Sequence, residues 1–591
     1  MSLWINYLDQ IMLYSALALS LNLLLGYAGQ VSVAHAAFGA IGGYTMAYTM
    51  QAHGWNFLVG TLLGMLLAFV IGTLVALPAL KLTVEYLILL TLAVSSVILG
   101  LLVAIPELGG TYGLINLPQA SLFGWHLQRP EDWLIPSFIA MAIVFAICHR
   151  IGESPAGRVL KGIREDPVAT QALGKNVFGY KVFVFGLTSA LAAFAGAMLA
   201  AWFRLATPGV FGFSFSLTVF AIVIFGGMGN LYGTILGAAV VVMMEPLLER
   251  AIKVDPADSG YLQLIVYGVL LAILMRLRPQ GALPEGFSLI GWLRGERGAK
   301  TRVEMDHDWV PATVSNVGEH VAELPVAEED RRDRAWHEAP VILQTSNVSK
   351  RFGGIVAASE LAIELRQGTI TALVGPNGAG KTTVFNLLTG AIPPDSGSIL
   401  LNGDELIGLD PDRVARKGMV RSFQDVRLFN RLSCLQNVMM AVQDQPGENF
   451  GTLTVNHRKV KRAEGETREK AMGWLRFVGM AEFAEVPAAA LSYGQTKLIS
   501  LARVLATEAD VLLLDEPASG IDTKWVDTML ELIEQVRDQG RTVCVVEHNL
   551  HVVGRLADHT YFMELGQITA EGTIAELTND RRLAEVYFGT S

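Results

Sequence analysis

The residues best suited to chemistry stand in one string, Gly375-Pro-Asn377-Gly378-Ala-Gly380-Lys381-Thr382-Thr383. Glycine-rich backbone of this kind turns successive N–H groups toward phosphate oxygens, a lysine at its end reaches the β- and γ-phosphates, and the next hydroxyl ligates magnesium. Farther along, Asp515 and Glu516 place a metal-binding carboxylate beside one that can orient or deprotonate an attacking water. Gln424 can touch both ion and water, and His548 can hydrogen-bond a γ-phosphate. Together these groups predict binding and hydrolysis of ATP with magnesium, the ion held by Thr382, Gln424 and Asp515.

Each group needs an element to hold it. An apolar run, Thr369–Val374, precedes the glycine loop and a helix-like run, Thr383–Leu388, follows it, the strand–loop–helix setting in which a helix N-terminus meets phosphate. Val511–Asp515 reads as a buried parallel strand, and Val545-Val-Glu-His548 ends another. The second half is therefore expected to be an α/β domain.

Between these motifs lie Leu491-Ser492-Tyr-Gly494-Gln495 and Ser519-Gly-Ile-Asp522. In type and order the whole set resembles the nucleotide-binding domain of ATP-binding-cassette (ABC) proteins, with a helical subdomain carrying the Leu-Ser-x-Gly-Gln signature. The resemblance implies that Ser492, Gly494 and Gln495 complete the ATP site of a partner subunit, with Asp522 at the contact between subunits. It also matches Phe352 to the aromatic on which adenine stacks. Tyr493 departs from the family's usual glycine, while the flanking Ser492 and Gly494 remain.

The first half is of another kind. The chain is 52% hydrophobic and only 17% charged, and that low charge is concentrated after about residue 294. Apolar runs near 3–25, 31–50, 56–77, 83–105, 133–149, 177–203, 212–228, 233–249 and 260–276 predict about nine crossings of a lipid bilayer. The second, seventh and eighth are short or rich in Gly and Ala and could be broken. Arg150, Arg158, Lys161, Arg164, Lys175 and Lys181 crowd one loop, and Arg276 and Arg278 close the last run, so both should face the cytoplasm and the N-terminus the outside. Met1–Ser20 lacks the basic start of a signal peptide. The net charge of −10 gives no reason to expect a nucleic-acid partner. Cys148, Cys434 and Cys544 are too scattered for a metal site and read as buried thiols. The expected organisation is a transmembrane permease domain, 1–278, a cytoplasmic linker, 279–340, and an ATP-binding domain, 341–591.

Longer strings narrow the resemblance. Lys381-Thr-Thr-Val-Phe-Asn386, Val420–Phe429 and Ala584-Glu-Val-Tyr-Phe-Gly589 look like the ATPase of branched-chain (hydrophobic) amino-acid importers. Asn22–Tyr44, Ile163–Gly174 and Phe225–Gly233 are similar to a permease subunit of the same system. A natural fusion of the two subunits in a bacterial inner membrane is implied, working with a second permease subunit, a second ATP-binding subunit and an external solute-binding protein. Importers of urea, short amides or aromatic acids share this architecture. An exporter is disfavoured by the short cytoplasmic connections, and a regulatory or channel protein by the intact Glu516 and His548. In the permease strings Gly, Ala and Ser let helices approach closely. Asn22, Gln30, Ser32, His35 and Thr45 either line a pathway or bond helix to helix, with the second reading ahead for each. Glu85 is expected to pair with Lys81, and Glu245 to face protein or water. Resemblance also suggests that 154–173 docks on an ATPase domain, against the alternative of a solvated loop.

Overall fold

The computed structural model describes residues 2–79, 84–122, 124–252, 280–287 and 335–579, with isolated positions between 265 and 278. Much of the expected span at 260–276, most of the linker, Lys81, the side chain of Glu245 and the string at 584–589 lie outside the described residues. The chain divides into two compact units, residues 1–164 with 177–300, and residues 165–176 with 301–591.

The first unit is helical: α1 (Ser2–Asn22), α2 (His35–His53), α3 (Phe57–Ala79), α4 (Val84–Ala104), α5 (Pro130–Gly152), α6 (Pro155–Glu165), α8 (Val177–Phe203), α9 (Phe213–Gly226) and α10 (Leu231–Ile252), with α7 (Pro167–Ala172) lying in the second unit. Among the described residues five helices are long and apolar enough to cross a membrane: Trp4–Tyr27, Phe57–Ala79, Glu85–Ala104, Pro130–Gly152 and Val177–Phe203. Phe213–Gly226 and Leu231–Met244 are apolar but shorter. The expected number of about nine is thus not confirmed among the described residues; the second, seventh and eighth runs are those whose length or Gly and Ala content made them doubtful.

Glycine sets how closely these helices pack. A Cβ on Gly42 of α2 would sit 1.9 Å from the Ala193 carbonyl oxygen of α8, and one on Gly196 of α8 would sit 2.1 Å from that of Gly39. Backbone meets backbone there, as expected for association in lipid. Asn22 bridges helices: its Nδ2 donates to Thr234 Oγ1 at 2.6 Å and to the Asn230 carbonyl at 3.1 Å, while its Oδ1 accepts from the Gly229 N–H at 2.9 Å. His35 Nε2 and Ser20 Oγ are 2.7 Å apart, and Gln30 Nε2 donates to the Lys181 carbonyl at 3.3 Å. The helix-bonding reading thus fits Asn22, Gln30 and His35. Thr45 instead lines an apolar cavity of about 450 Å³ between α2, α3 and α4, beside Tyr44 and Tyr48.

The second unit is built on a six-stranded sheet. Its strands are β3 (Ile370–Val374), β5 (Met419–Arg421), β6 (Val511–Asp515), β7 (Thr542–Val546), β8 (His559–Glu564) and β9 (Gln567–Gly572), ordered β5-β6-β7-β3-β8-β9, all parallel except β9. β3, β6 and β7 are buried at every residue, which is why they read as unbroken apolar runs. Alternate residues feed two cores: Leu512, Leu514, Val543 and Val545 on one face, Val511, Leu513, Cys544 and Val546 on the other. A second, antiparallel sheet includes β1 (Val341–Phe352), β2 (Ile355–Leu361) and β4 (Ser396–Leu401). The helices of the unit include α11 (Lys381–Leu388), α12 (Cys434–Ala441), α13 (His457–Phe477), α14 (Tyr493–Leu505) and α15 (Thr523–Asp538). All three cysteines are free and buried.

Residues 165–176 are part of this unit although their sequence neighbours belong to the first. Ala169 and Leu173 enter its larger core. Asp166 pairs with Arg427 at 3.1 Å, and Lys175, 1% exposed, donates to Glu448 at 2.6 Å and to the Val442 carbonyl at 2.9 Å. Of the stretch expected to dock, residues 165–173 thus belong to the second unit, and the solvated-loop alternative does not describe them.

Candidate functional site

Four parallel strands end at one edge of the sheet, and each delivers chemistry there. β3 leads into the glycine loop, β5 into Ser422-Phe423-Gln424, β6 ends on Asp515 and passes into Glu516, and β7 passes into Glu547-His548. Crevices at the carboxyl ends of parallel strands are where such sheets bind ligands.

The loop has the backbone that phosphate binding needs. Gly375, Gly378 and Gly380 have φ of +150°, +84° and +107°, values that L side chains avoid. A Cβ on Gly375 would lie 2.0 Å from the Met563 carbonyl oxygen, and one on Gly380 would lie 2.3 Å from that of Ala357. The loop thus fits a polyphosphate: its path excludes side chains at two glycines, Asn377 and Gly378 are exposed, and a lysine closes it. Lys381 Nζ donates to the carbonyls of Gly375 at 2.7 Å and Pro376 at 2.9 Å. Burial lowers the affinity of its amine for a proton, and Glu516 and Asp515 oppose that shift. Thr382 is exposed and Thr383 half-buried at the start of α11.

Asp515 is 2% exposed. Burial raises its carboxyl above the ordinary range, and the guanidinium of Arg421, 3.4 Å away, acts in the opposite sense. Arg421 is itself fixed by Asn386 Oδ1 at 2.5 Å, and the Asp515 N–H donates to Ser422 Oγ at 3.0 Å. The side-chain oxygens that Thr382, Gln424 and Asp515 offer are hard donors, the kind that suits magnesium.

Glu516 is the meeting point. Gln424 Nε2 donates to its Oε2 at 3.0 Å, and His548 Nδ1 lies 3.6 Å from its Oε1. Its backbone is in the left-handed region, φ +47°, a conformation that costs a non-glycine residue about 1–3 kcal/mol unless its surroundings impose it. Here the Glu516 N–H donates to the Val546 carbonyl at 2.9 Å, and Lys497 Nζ donates to the Glu516 carbonyl at 2.9 Å. Arg421 and Lys497 carry no role in the sequence reading. Arg421 sits inside the string that holds Gln424, but its pairing with a residue 94 positions away is visible only in three dimensions.

The remaining expected residues lie elsewhere on the unit. Phe352 is 45% exposed at the β1–β2 hairpin, whose second strand passes against Gly380 through Ala357. Ser492 caps α14: its Oγ accepts from the Gln495 N–H, and Gln495 Oε1 accepts from the Ser492 N–H at 2.9 Å. Gln495 is 2% exposed, so its side chain serves this cap. Gly494 lies against Trp525, where a Cβ would be 3.1 Å from the ring. Asp522 is exposed at the N-terminus of α15.

Residues 3–275 match the family described as branched-chain amino acid transport system / permease component, and residues 358–519 match the ABC transporter family. The high-affinity branched-chain amino acid transport ATP-binding protein BraF of Pseudomonas aeruginosa is 36% identical over 249 residues, 42% of this chain and 98% of the relative. The corresponding LivG protein of Escherichia coli K12 is 35% identical over the same length, with the same shares of the two chains. A solved nucleotide-free ATP-binding cassette from an ABC transporter is 30% identical, covering 42% of this chain and 100% of that one, with a TM-score of 0.38. With a permease component and an ATP-hydrolysing cassette in one polypeptide, the chain belongs to the ABC transporters, in the family of branched-chain amino acid transport systems.

Proposed function

We propose that this chain is the fused permease and ATPase subunit of a bacterial inner-membrane importer, and that it uses ATP to take up branched-chain or other hydrophobic amino acids. The observation that carries the reading is the convergence on Glu516 of Gln424 and His548, at the strand edge that also bears the glycine loop. The names of the relatives support the substrate class.

In this reading the amides of Gly375–Thr383 and the Lys381 ammonium hold the phosphates, Phe352 stacks on adenine, and Thr382, Gln424 and Asp515 hold magnesium. The ion, when bound, neutralises charge developing on the phosphates. Glu516 accepts the proton of the attacking water, Gln424 orients it, and His548 steadies the γ-phosphate. Ser492 and Gly494 face the nucleotide of a second ATP-binding subunit, and Asp522 lies at the contact between the subunits. A second permease subunit completes the pathway, and an external solute-binding protein delivers the solute. Residues 165–176, held by Asp166–Arg427 and Lys175–Glu448, carry cassette movement to the permease domain, which lies in 1–278 ahead of a linker to about 340.

Replacement of Glu516 by Gln is the test. Hydrolysis should fall by about a hundredfold or more, with magnesium–ATP still bound. A variant that hydrolyses ATP at the wild-type rate contradicts the assignment.

A further inference from the structure

Lys497 carries a charged side chain on α14, yet it is 5% exposed. It lies in the second turn of α14, beyond the cap at Ser492. Its ammonium donates to two backbone carbonyls, of Glu516 at 2.9 Å and of Gln424 at 3.2 Å, and lies 5.7 Å from the centre of the Tyr493 ring. Those carbonyls belong to the two residues whose side chains meet at 3.0 Å. One of them, Glu516, sits at positive φ, so its peptide keeps its direction only while its neighbours hold it.

The same helix grips the segment after Gln424 at its far end. Arg503 donates to the Arg427 carbonyl at 2.6 Å. Arg427 in turn pairs with Asp166, and Glu165 accepts from the Arg431 N–H at 3.1 Å. Residues 424–427 are therefore clamped by two buried cations of α14 and attached on another side to Asp166. Charged donors to carbonyls make strong, directional bonds, and a helix moves as a rigid rod over so short a distance.

We propose that Lys497 is a positioning residue for hydrolysis: it ties the peptides of Glu516 and Gln424 to the helix that presents Ser492 and Gly494. Engagement of Ser492 and Gly494 with a partner's nucleotide then sets the aim of Glu516 in this chain's own site. The inference rests on the roles given above to Glu516 and to the signature residues, and goes beyond them by joining the two sites through one side chain.

The test compares K497M, K497R and K497Q in the full chain assembled with its companion subunits, measuring magnesium–ATP hydrolysis, its dependence on ATP concentration and thermal unfolding. For K497M kcat should fall about tenfold or more while KM for ATP stays within about twofold. The Hill coefficient should drop toward one, and the unfolding midpoint should hardly move. K497R should recover most of the rate by restoring a cationic donor. Wild-type kcat and cooperativity in K497M overturn the proposal. So does a loss that K497R leaves unrepaired and that comes with raised KM and a lowered midpoint, the signature of plain packing. If K497M does not fold, K497Q decides: a wild-type rate overturns the proposal, and a slowed rate with unchanged KM supports it. K381A should abolish hydrolysis whatever Lys497 does. An active K497M beside an inactive K381A removes the Lys497 role alone, whereas a wild type that binds no magnesium–ATP removes both readings.

Discussion

Arg421 and Asp515 show how one residue pair governs the site. Asp515 is buried, and burial raises its carboxyl while Arg421 acts to lower it. Removing the guanidinium must raise that carboxyl further, so a smaller fraction is ionised at any given pH. For R421M the acid limb of the kcat/KM profile should move to higher pH, and rising magnesium should restore part of the rate by competing with the proton. An unmoved acid limb would refute the electrostatic role of Arg421. Stability should also drop, by about 3 kcal/mol, because the variant leaves a buried charge without its partner; chemical unfolding of the purified protein checks this. The places of the glycine loop, Asp515, Glu516 and His548 at the strand ends were legible in sequence because each depends on its immediate neighbours: a backbone that tolerates only glycine, or a buried apolar strand that runs into a polar residue. Arg421 and Lys497 were not, since their partners are set by strand order and helix docking.

At the scale of elements, packing decides what periodicity leaves open. Gly42 and Gly196 place α2 and α8 backbone to backbone, and the sequence announced this through small residues at close spacing. G42A pushes a methyl group into the Ala193 carbonyl and should destabilise the first unit by about 1–3 kcal/mol. Lower detergent-solubilised yield and earlier thermal aggregation would report it, and wild-type behaviour would contradict the close approach. The number of spans was less legible, because α2 mixes apolar residues with Gly, Thr and Tyr, while the apolar stretches Phe213–Gly226 and Leu231–Met244 are short. Residues 165–176 lie in a charged loop that resemblance, not periodicity, marked for docking, and they bury Lys175 against Glu448. K175M removes the 2.6 Å ion pair to Glu448 and should cost more coupling between hydrolysis and uptake than the double variant K175M/E448M, in which both members of the pair are gone. Equal loss in single and double variants would speak against the pair.

Across the whole molecule, two halves of opposite composition carry two halves of one process. Low charge and long apolar runs mark residues 3–275, while alternating strands and helices mark the cassette, and the family matches fall on the same division. Both fold classes were therefore open to sequence reasoning. Substrate identity was not, since hydrogen bonds between helices consume much of the polar inventory of the permease strings. The most direct measurement is accumulation of a labelled branched-chain amino acid in proteoliposomes containing the assembled complex and its external binding protein, with magnesium–ATP on the cassette side. Wild type should concentrate the amino acid against its gradient, and E516Q should bind ATP yet accumulate none. Accumulation that persists in E516Q, or that proceeds without ATP, would contradict the coupling of this cassette to transport.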